Sequence, residues 1–167
     1  MQQNYFKIDK TITKKVFYPM WFIKTFDELS TQELFDIIEA RTEVFVIEQN
    51  RVYRELDKID LKSIHIFKYD QGQIVAYARI YTIDHGISFG RILTASNVRG
   101  TGIGKELMQQ VLETCRKSYP HQTIHIEAQD HALSFYEQFG FKVTGPKFEF
   151  NHTPHYPMEL KTTQSLD

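Results

Sequence analysis

Residues 87–119 read ISFGRILTAS, NVRGTGIGKE and LMQQVLETCRKSY, and this stretch decides the fold. The apolar, β-prone run 87–94 leads into a loop with three glycines, and the loop opens directly into a helical pattern. One stripe of that helix is apolar and consists of Ile103, Leu107, Val111 and Cys115. Backbone N–H groups at a helix start have no partner within the helix, and the helix dipole adds about half a positive charge there. The order strand, glycine loop, helix therefore predicts an anion-binding site.

The spacing of the glycines separates this loop from two other phosphate-binding loops. A Walker A loop would need glycine at Arg99 and serine or threonine at Glu106. A dinucleotide-binding fingerprint counted from Gly100 would need glycine at Lys105. The pattern that remains is R-x-x-G-x-G, from Arg99 to Gly104. An ordinary glycine turn is the alternative, and the position between strand and helix favours the anion site.

The composition is that of a globular protein and excludes several classes of partner. With 167 residues, of which 41% are hydrophobic and 25% charged, the chain has the size of one domain. Its 20 basic and 21 acidic residues give a net charge of −1, without a basic stripe or an acidic tail. We therefore expect no nucleic-acid and no membrane partner. The 13 Phe and 9 Tyr predict bulky core layers or an apolar ligand tunnel.

Cysteine content and the N-terminal segment bear on the compartment. The single cysteine, Cys115, excludes an internal disulfide, and its place on the apolar stripe favours a core thiol over a nucleophile. No run of about 18 apolar residues predicts a transmembrane helix. Residues 1–19 carry four lysines but no continuous apolar block, so they do not resemble a secretory signal. We expect them to be an extension that is flexible or that precedes a true start at Met20, in a cytoplasmic protein.

The pattern along the chain predicts an α/β domain of the α+β type, with a mixed, mostly antiparallel sheet flanked by helices. The predicted strands are 20–26, 63–69, 74–83, 87–94 and 123–128, the predicted helices are 27–49, 103–119 and 131–139, and a closing hairpin joins 148–150 to 156–160 around a turn at 152–155. Hairpin-length links make the three middle strands antiparallel neighbours. The domain spans residues 20–160, and residues 161–167 form a polar tail.

The first predicted helix carries two charged residues on an apolar face. Residues 30–33 form a capping box, and apolar residues then recur at helical spacing. Arg41 and Glu48 lie two turns apart on the same face. Either both side chains reach water from its edges, or they line a substrate cleft.

An acidic loop and two strand residues are further candidates. Glu55, Asp57 and Asp60 predict either a solvated loop or the mouth of an amine-binding site, and no His or Cys supports a metal site. Arg79 lies within an interior strand, where a charge needs a partner, and Asp57 or Asp60 could supply it. His65, on the preceding strand, is either a hydrogen-bonded strand histidine or a base.

Three blocks in this order resemble the GNAT acyltransferase superfamily over nearly all of residues 21–160, and its ElaA-like branch in particular. The blocks are RTEVFVIEQ at 41–49 with an acidic sequel, GRILTASNVRGTGIG at 90–104, and AQDHALSFYEQFGF at 128–141 followed by PHYPM at 154–158. The chain has Ser96 where many GNAT loops have proline and Gln129 where many have asparagine. Its final turn reads NHTPH instead of the branch's usual DGIPH, and this altered charge weakens any substrate inference from that hairpin.

The resemblance implies acetyl-CoA as co-substrate, with no metal. It implies that the strand residues Ile92, Leu93 and Thr94 pair with the pantetheine arm. The residues implied to bind the pyrophosphate and the rest of the cofactor are Arg99, Gly100, Thr101, Gly102, Ile103, Gly104, Lys105 and Gln129. A phosphate bound by backbone N–H groups is physically reasonable, because charge-assisted hydrogen bonds contribute about 1.5–3 kcal/mol each.

The resemblance also implies that Tyr136 faces the thioester sulfur. A phenol, with an unperturbed pKa of about 10, is protonated at neutral pH and can give its proton to a departing thiolate. The alternative is a core aromatic on the apolar stripe 132–139. Backbone N–H groups near Leu93 are implied to stabilise the oxyanion.

The implied activity is N-acetylation of a primary amine, in a small molecule or a peptide, by direct attack within a ternary complex. The candidate bases are Glu48, His65, Glu127 and His155, and spacing singles out none of them. Arg41 and Arg79 are further candidates for lining the acceptor site. Relatives in this superfamily are often dimers, so a homodimer is a possible state.

Two other readings stay open. The R-x-x-V-F run with Asp57, Asp60 and Arg79 is similar to acyl-homoserine-lactone synthases, although the tryptophan that those enzymes carry in this interval is missing. The third reading is a CoA-binding or sensing protein without turnover, which would be indifferent to Tyr136.

Overall fold

The computed structural model describes residues 20–51, 53–150 and 152–162, so the predictions for residues 1–19 and most of the tail lie outside the described residues. The strands are β1 Trp21–Thr25, β2 Ile64–Asp70, β3 Gln73–Ile83, β4 Gly86–Thr94, β5 Thr123–Gln129, β6 Lys142–Val143, β7 Phe148–Phe150 and β8 Thr153–Lys161. The α-helices are α1 Thr31–Arg41, α2 Ile103–Ser118 and α3 Leu133–Glu137.

The described strands form one mixed, mostly antiparallel sheet, as the sequence predicts. The strand order is β1-β2-β3-β4-β5-β8-β6, and β7 also pairs with β8. The links β2–β3 and β3–β4 are short, and these neighbours are antiparallel. The pair β4–β5 is parallel because α2 crosses between the two strands.

The parallel pair opens into a gap, which is the feature that positions the site. Among the described residues, β4 and β5 are paired only at Ile87 with Ile124 and at Ser88 with His125. Beyond these pairs β4 runs on to Thr94 and β5 to Gln129. The strands converge at Gly86, which has φ 148° and whose Cβ, if present, would lie 2.5 Å from a backbone oxygen of β5. The sheet is therefore split like a wedge, closed at this apex and open at the other end.

Each face of the sheet has its own core. The predicted stripe of α2 is buried on one face, where Leu107, Val111 and Cys115 are fully inaccessible and pack with Phe89 and Phe141. On the opposite face, α1 packs through Ile37 against Phe67, Tyr77 and Leu93. Strand side chains alternate between these two faces, except in β4, whose alternation shifts between Phe89 on the α2 side and Leu93 on the α1 side, where Arg91 has φ 55°.

The prediction of one helix over residues 27–49 is wrong at both ends. Ser30 caps α1 by accepting a hydrogen bond from the N–H of Glu33 at 3.1 Å, as the capping box predicts, so the helix begins at Thr31. Residues 26–28 form a separate 3-10 turn. After Arg41 the chain continues as a π-helix, Thr42–Glu48. Over seven residues the apolar pattern does not distinguish the π period from the α period.

The last third of the chain also differs in detail. The turn predicted at 152–155 is wrong, because Thr153, Pro154 and His155 belong to β8 and pair with β7. The helix predicted at 131–139 consists of a 3-10 turn at 130–132 followed by α3. The strand β8 extends through Lys161, the first residue of the predicted tail.

Candidate active site

The open end of the gap exposes the edge of β4. The predicted cofactor residues Ile92, Leu93 and Thr94 lie on this part of the strand, where β3 pairs on one side and β5 has separated on the other. A β-bulge shifts the register between Tyr77 and Arg79, opposite β4. Peptide groups on an unpaired strand edge can bind an extended chain as an additional strand would. The site therefore begins with a backbone surface rather than with side chains.

The glycine loop follows directly and presents unbonded N–H groups. Gly102 is the N-cap residue of α2 and has φ 95°, a left-handed conformation that glycine adopts without strain. Within the described part of the chain, the N–H groups of residues 100, 102, 103 and 104 have no hydrogen-bond acceptor. A Cβ at Gly100 or Gly102 would meet no atom within 4 Å, so the space beside this backbone is open. These residues fit an anionic group such as a diphosphate.

Arg99 lies at this loop but already has protein partners. Its guanidinium forms a bidentate ion pair with Glu48, through Nη1 to Oε1 and through Nη2 to Oε2 at 2.9 Å. It also donates to the carbonyl oxygen of Thr94, from Nε at 3.1 Å. The pKa of Glu48 is lowered, mainly because its carboxylate accepts hydrogen bonds from Arg99. The end of the π-helix is thus joined to the loop that follows β4. Lys105, also predicted here, is exposed on the first turn of α2.

Tyr136 approaches the gap from the α2 side. Its ring packs against Phe89, Phe135 and Phe141, with ring centroids 5.4–6.1 Å away. Burial raises the pKa of Tyr136 to about 12, so the phenol is protonated at neutral pH. Its hydroxyl has no hydrogen-bond partner among the described residues. Tyr136 therefore combines the packing of a core aromatic residue with a hydroxyl group that is available to a ligand.

On the α1 side, three arginines and three carboxylates form a buried ion cluster. Its members are Arg41, Glu55, Asp57, Asp60, Arg79 and Arg91. Arg41 Nη1 and Arg79 Nη1 both donate to Asp60 Oδ1, at 2.8 and 2.6 Å. Arg79 also binds Asp57 at 2.7 and 2.8 Å. The formal charges in the cluster sum to zero, which makes its burial tolerable.

The cluster decides three of the sequence-based alternatives. Arg79 takes both predicted partners, Asp57 and Asp60. The idea that Arg41 reaches water is wrong, because the residue is 1% exposed and bound to carboxylates. A solvated acidic loop is wrong for Glu55 and Asp60, whose side chains are 9% exposed. Neither Arg41 nor Arg79 has its charge free for a substrate.

His65 is a strand histidine, and both of its ring nitrogens have hydrogen-bond partners within the protein. Its Nδ1 lies 2.8 Å from the hydroxyl of Tyr77 and its Nε2 lies 3.0 Å from the carbonyl oxygen of Asp60. Burial lowers the pKa of His65, so the ring is neutral at pH 7. Both ring nitrogens are occupied, which leaves neither one available to a substrate.

The stretch from Glu48, the last residue of the π-helix, to Glu55 contacts both walls of the gap. Glu48 binds Arg99 beyond β4, and Glu55 Oε1 accepts from Arg91 Nε of β4 at 2.8 Å. Between them, Arg51 Nη2 donates to the side-chain oxygen of Gln129, the last residue of β5, at 2.8 Å. No local sequence pattern indicates these contacts, because the partners are 36–78 residues apart in the chain.

His155 lies beside Gln129, its direct register partner across β5 and β8. The residue is 7% exposed, and its ring stacks on Phe148 at a centroid distance of 5.9 Å. Its Nδ1 is 2.8 Å from the carbonyl oxygen of Thr153. The structure thus places Gln129 of β5 on one wall of the gap, with His155 beside it on β8, and residues 92–94 on the other wall.

The described residues contain neither a candidate metal site nor a candidate membrane-spanning helix. No group of three or more His, Cys, Asp or Glu in this part of the chain is arranged to hold a metal ion. No helix in it is long and apolar enough to cross a membrane.

Comparison with known proteins identifies the class of this fold. A mixed sheet of this order is shared with acyl-CoA N-acyltransferase structures, so the protein is an acyltransferase. Residues 26–162 match the acetyltransferase (GNAT) domain, and the chain belongs to this family. The resemblance drawn from three sequence blocks is thereby confirmed.

Two relatives show how far the similarity extends. The chain is 34% identical to protein ElaA of Escherichia coli over 143 residues, which cover 83% of this chain and 94% of ElaA. The crystal structure of Escherichia coli ElaA superposes with a TM-score of 0.81 over 85% of this chain and 99% of that one, at 33% identity. An acyl-CoA N-acyltransferase from Pseudomonas aeruginosa gives a TM-score of 0.82 at 29% identity, with the same coverage.

Proposed function

We propose that the protein is an acetyl-CoA-dependent N-acetyltransferase, which transfers an acetyl group to a primary amine by direct attack in a ternary complex. The observation that carries this proposal is the gap between β4 and β5, which leads at its open end into a loop of unbonded N–H groups. A long ligand with a diphosphate at one end and a thioester at the other suits that shape. Acyl transfer in general follows from the family; the acetyl group and the amine are the proposal.

The chain's own backbone would bind most of the cofactor. The edge of β4 at residues 92–94 would pair with the pantetheine arm, and the N–H groups of residues 100, 102, 103 and 104 would bind the diphosphate. Arg99 lies beside this loop, with its charge paired to Glu48. The co-substrate supplies an activated thioester carbonyl, which backbone N–H groups near Leu93 would polarise.

Tyr136 would act as the acid for the leaving thiolate. Its burial keeps the hydroxyl protonated, and its hydroxyl is not engaged by another described residue. General acid catalysis of this kind contributes about 10²–10⁴-fold.

Direct attack is favoured over an acyl-enzyme because Cys115 is unsuited to be a nucleophile. The residue is fully buried on α2, and burial raises the pKa of its thiol to about 12. Thiolate, not thiol, is the attacking species.

The first experiment is calorimetry of the full chain with acetyl-CoA and with CoA. The second measures thiol release and mass-detected acetylation over a panel of primary amines. We expect Tyr136→Phe to lower kcat by at least about tenfold while the acetyl-CoA dissociation constant stays unchanged. Tyr119→Phe is the matched control, a partly buried tyrosine at the end of α2. An unchanged kcat for Tyr136→Phe would reduce Tyr136 to a packing residue.

The same assays separate the proposal from its rivals. Binding of CoA without transfer to any amine would support a sensor. Formation of a lactone from acyl thioesters and S-adenosylmethionine would support a lactone synthase. Loss of all turnover in Cys115→Ala, with acetyl-CoA still bound, would refute direct attack.

A further inference from the structure

Amine acetylation needs a base, and the two faces of the gap limit where that base can lie. The attacking amine and the departing thiolate occupy different sides of the carbonyl carbon, so the groups that handle their protons are best placed on opposite faces. Tyr136 packs with Phe89 and Phe141, which are core residues of the α2 side. The base is therefore expected on the α1 side. This reasoning rests on the proposed function.

Strand alternation places His155 on the α1 side. Met158 and Ala128 belong to the α2-side core, and His155 and Gln129 are an odd number of residues away from them. The contact of Arg51 with Gln129 confirms the assignment, because Arg51 follows the π-helix that extends α1. His155 thus lies on β8, directly beside the β5 wall of the gap, on the sheet face opposite to the one that carries Tyr136.

The ring of His155 is held in one tautomer. A carbonyl oxygen can only accept, so the 2.8 Å contact with Thr153 requires that Nδ1 carries a proton and donates it. In the neutral ring Nε2 then bears a lone pair, and it has no hydrogen-bond partner in the described ranges of the chain. Phe148 stacks on the ring and Phe150 meets it edge-on, each at 5.9 Å, so its orientation is fixed.

The other candidate bases are less well placed. Both nitrogens of His65 are bonded within the protein. Glu48 is paired with Arg99, at the loop that would bind the diphosphate. Glu127 is exposed and lies closer to the closed end of the wedge than Gln129 does.

We infer that His155 is the general base that activates the acceptor amine. Its Nε2 accepts a proton from the amine as the nitrogen–carbon bond forms. The carbon–sulfur bond breaks, and the sulfur takes the hydroxyl proton of Tyr136. Water then returns one proton to Tyr136 and removes one from His155, so the cycle is balanced.

Charged groups on the neighbouring elements set the electrostatics around His155. On its flanks are Glu127 on β5 and Glu149 on β7. Next to Gln129, Asp130 accepts from Lys147 at 3.0 Å. Arg51 is the cation of the segment that contacts Gln129. The wild-type protein and the variants must therefore be compared at equal ionic strength, because these charged groups act on residue 155 in each of them.

His155→Asn is the decisive variant. The asparagine amide can take the place of Nδ1 and donate to the carbonyl of Thr153, but it has no equivalent of Nε2. His152→Asn is the matched control, an exposed histidine just before the first residue of β8. We expect His155→Asn to lower kcat by about 100-fold or more, with an unchanged acetyl-CoA dissociation constant by calorimetry.

Two further measurements separate a base from a structural residue. Imidazole should restore part of the activity of His155→Ala and none of that of Tyr136→Phe. In the free protein, ¹⁵N NMR of the histidine rings should show Nδ1–H and an unprotonated Nε2 in the signal that His155→Asn removes. This readout does not depend on turnover.

The outcomes are distinguishable. If the wild-type protein acetylates amines and His155→Asn stays within about threefold of it, the base assignment is wrong and the proposed function stands. An Nε2–H tautomer in the NMR spectrum, or a comparable loss in Glu127→Gln instead, would also overturn the assignment. If the wild-type protein transfers to no amine, the proposed function itself fails.

Discussion

Asp60→Asn should destabilise the protein strongly, because Asp60 lies at the centre of the ion cluster. One of its oxygens accepts from both Arg41 and Arg79, at 2.8 and 2.6 Å, and its side chain is 9% exposed. The substitution removes one charge with little change in volume. It leaves two nearly inaccessible guanidinium groups with an excess positive charge between them.

The size of the effect follows from what each arginine retains. Removing one partner of a buried pair costs about 3–5 kcal/mol. Arg41 keeps Glu55 and Arg79 keeps Asp57, so we expect the lower end, about 3 kcal/mol. For a chain of this size that corresponds to a fall in Tm of about 6–12 °C.

Urea unfolding followed by circular dichroism measures this directly. The control is Asp130→Asn, which removes a half-exposed carboxylate paired with Lys147 and should leave the midpoint unchanged. A loss below about 1 kcal/mol for Asp60→Asn would refute the conclusion that the cluster is a tightly coupled buried unit.

The pH dependence gives a second test of the same residue. Burial alone would raise the pKa of Asp60, but hydrogen bonds and charges from Arg41 and Arg79 outweigh it and lower the pKa below its usual value. A lowered folded-state pKa contributes stability above the unfolded pKa of about 3.9, and that contribution is lost as the pH falls through the folded value. The difference between wild type and Asp60→Asn should therefore be constant near neutral pH and shrink below about pH 4.

Three further predictions concern other parts of the chain. Ser30→Ala removes the cap of α1 and should lower the free energy of unfolding by about 1 kcal/mol in urea titrations, whereas Ser134→Ala on α3 should not. Cys115 should resist iodoacetamide at pH 8 in the folded protein and react in urea, because burial raises its pKa to about 12; rapid native labelling would contradict its burial. Glu48→Gln should release Arg99 and tighten CoA binding by up to about fivefold in calorimetry, with pantetheine binding unchanged.

The regular elements were predictable because local patterns specify them. The stripe of α2 needs only the helical period, and the capping box of α1 needs only residues three apart. Short links determine the antiparallel order of β2, β3 and β4. The glycine loop and the blocks that carry the family resemblance are likewise contiguous in sequence, which is why they locate the proposed cofactor side of the site.

The rest depends on contacts between distant residues. No local pattern shows that β4 and β5 pair at two positions and then separate. The sequence predicted that Arg79 has an acidic partner, because a buried charge requires one. It did not predict that Arg41 and Arg91 belong to the same ion cluster. The tautomer of His155 depends on a hydrogen bond to the carbonyl of Thr153, and no sequence pattern indicates that bond.

The apex at Gly86 has a consequence for how this protein could be altered. Because β4 and β5 are paired only near Gly86, a small change in their angle at that point produces a larger change in their separation at Thr94 and Gln129. A methyl group at Gly86 would have to push aside the backbone oxygen of Thr123, which lies 2.5 Å from its position. A substitution at residue 86 should therefore change the width of the gap between β4 and β5, and with it the size of the group that the gap accepts.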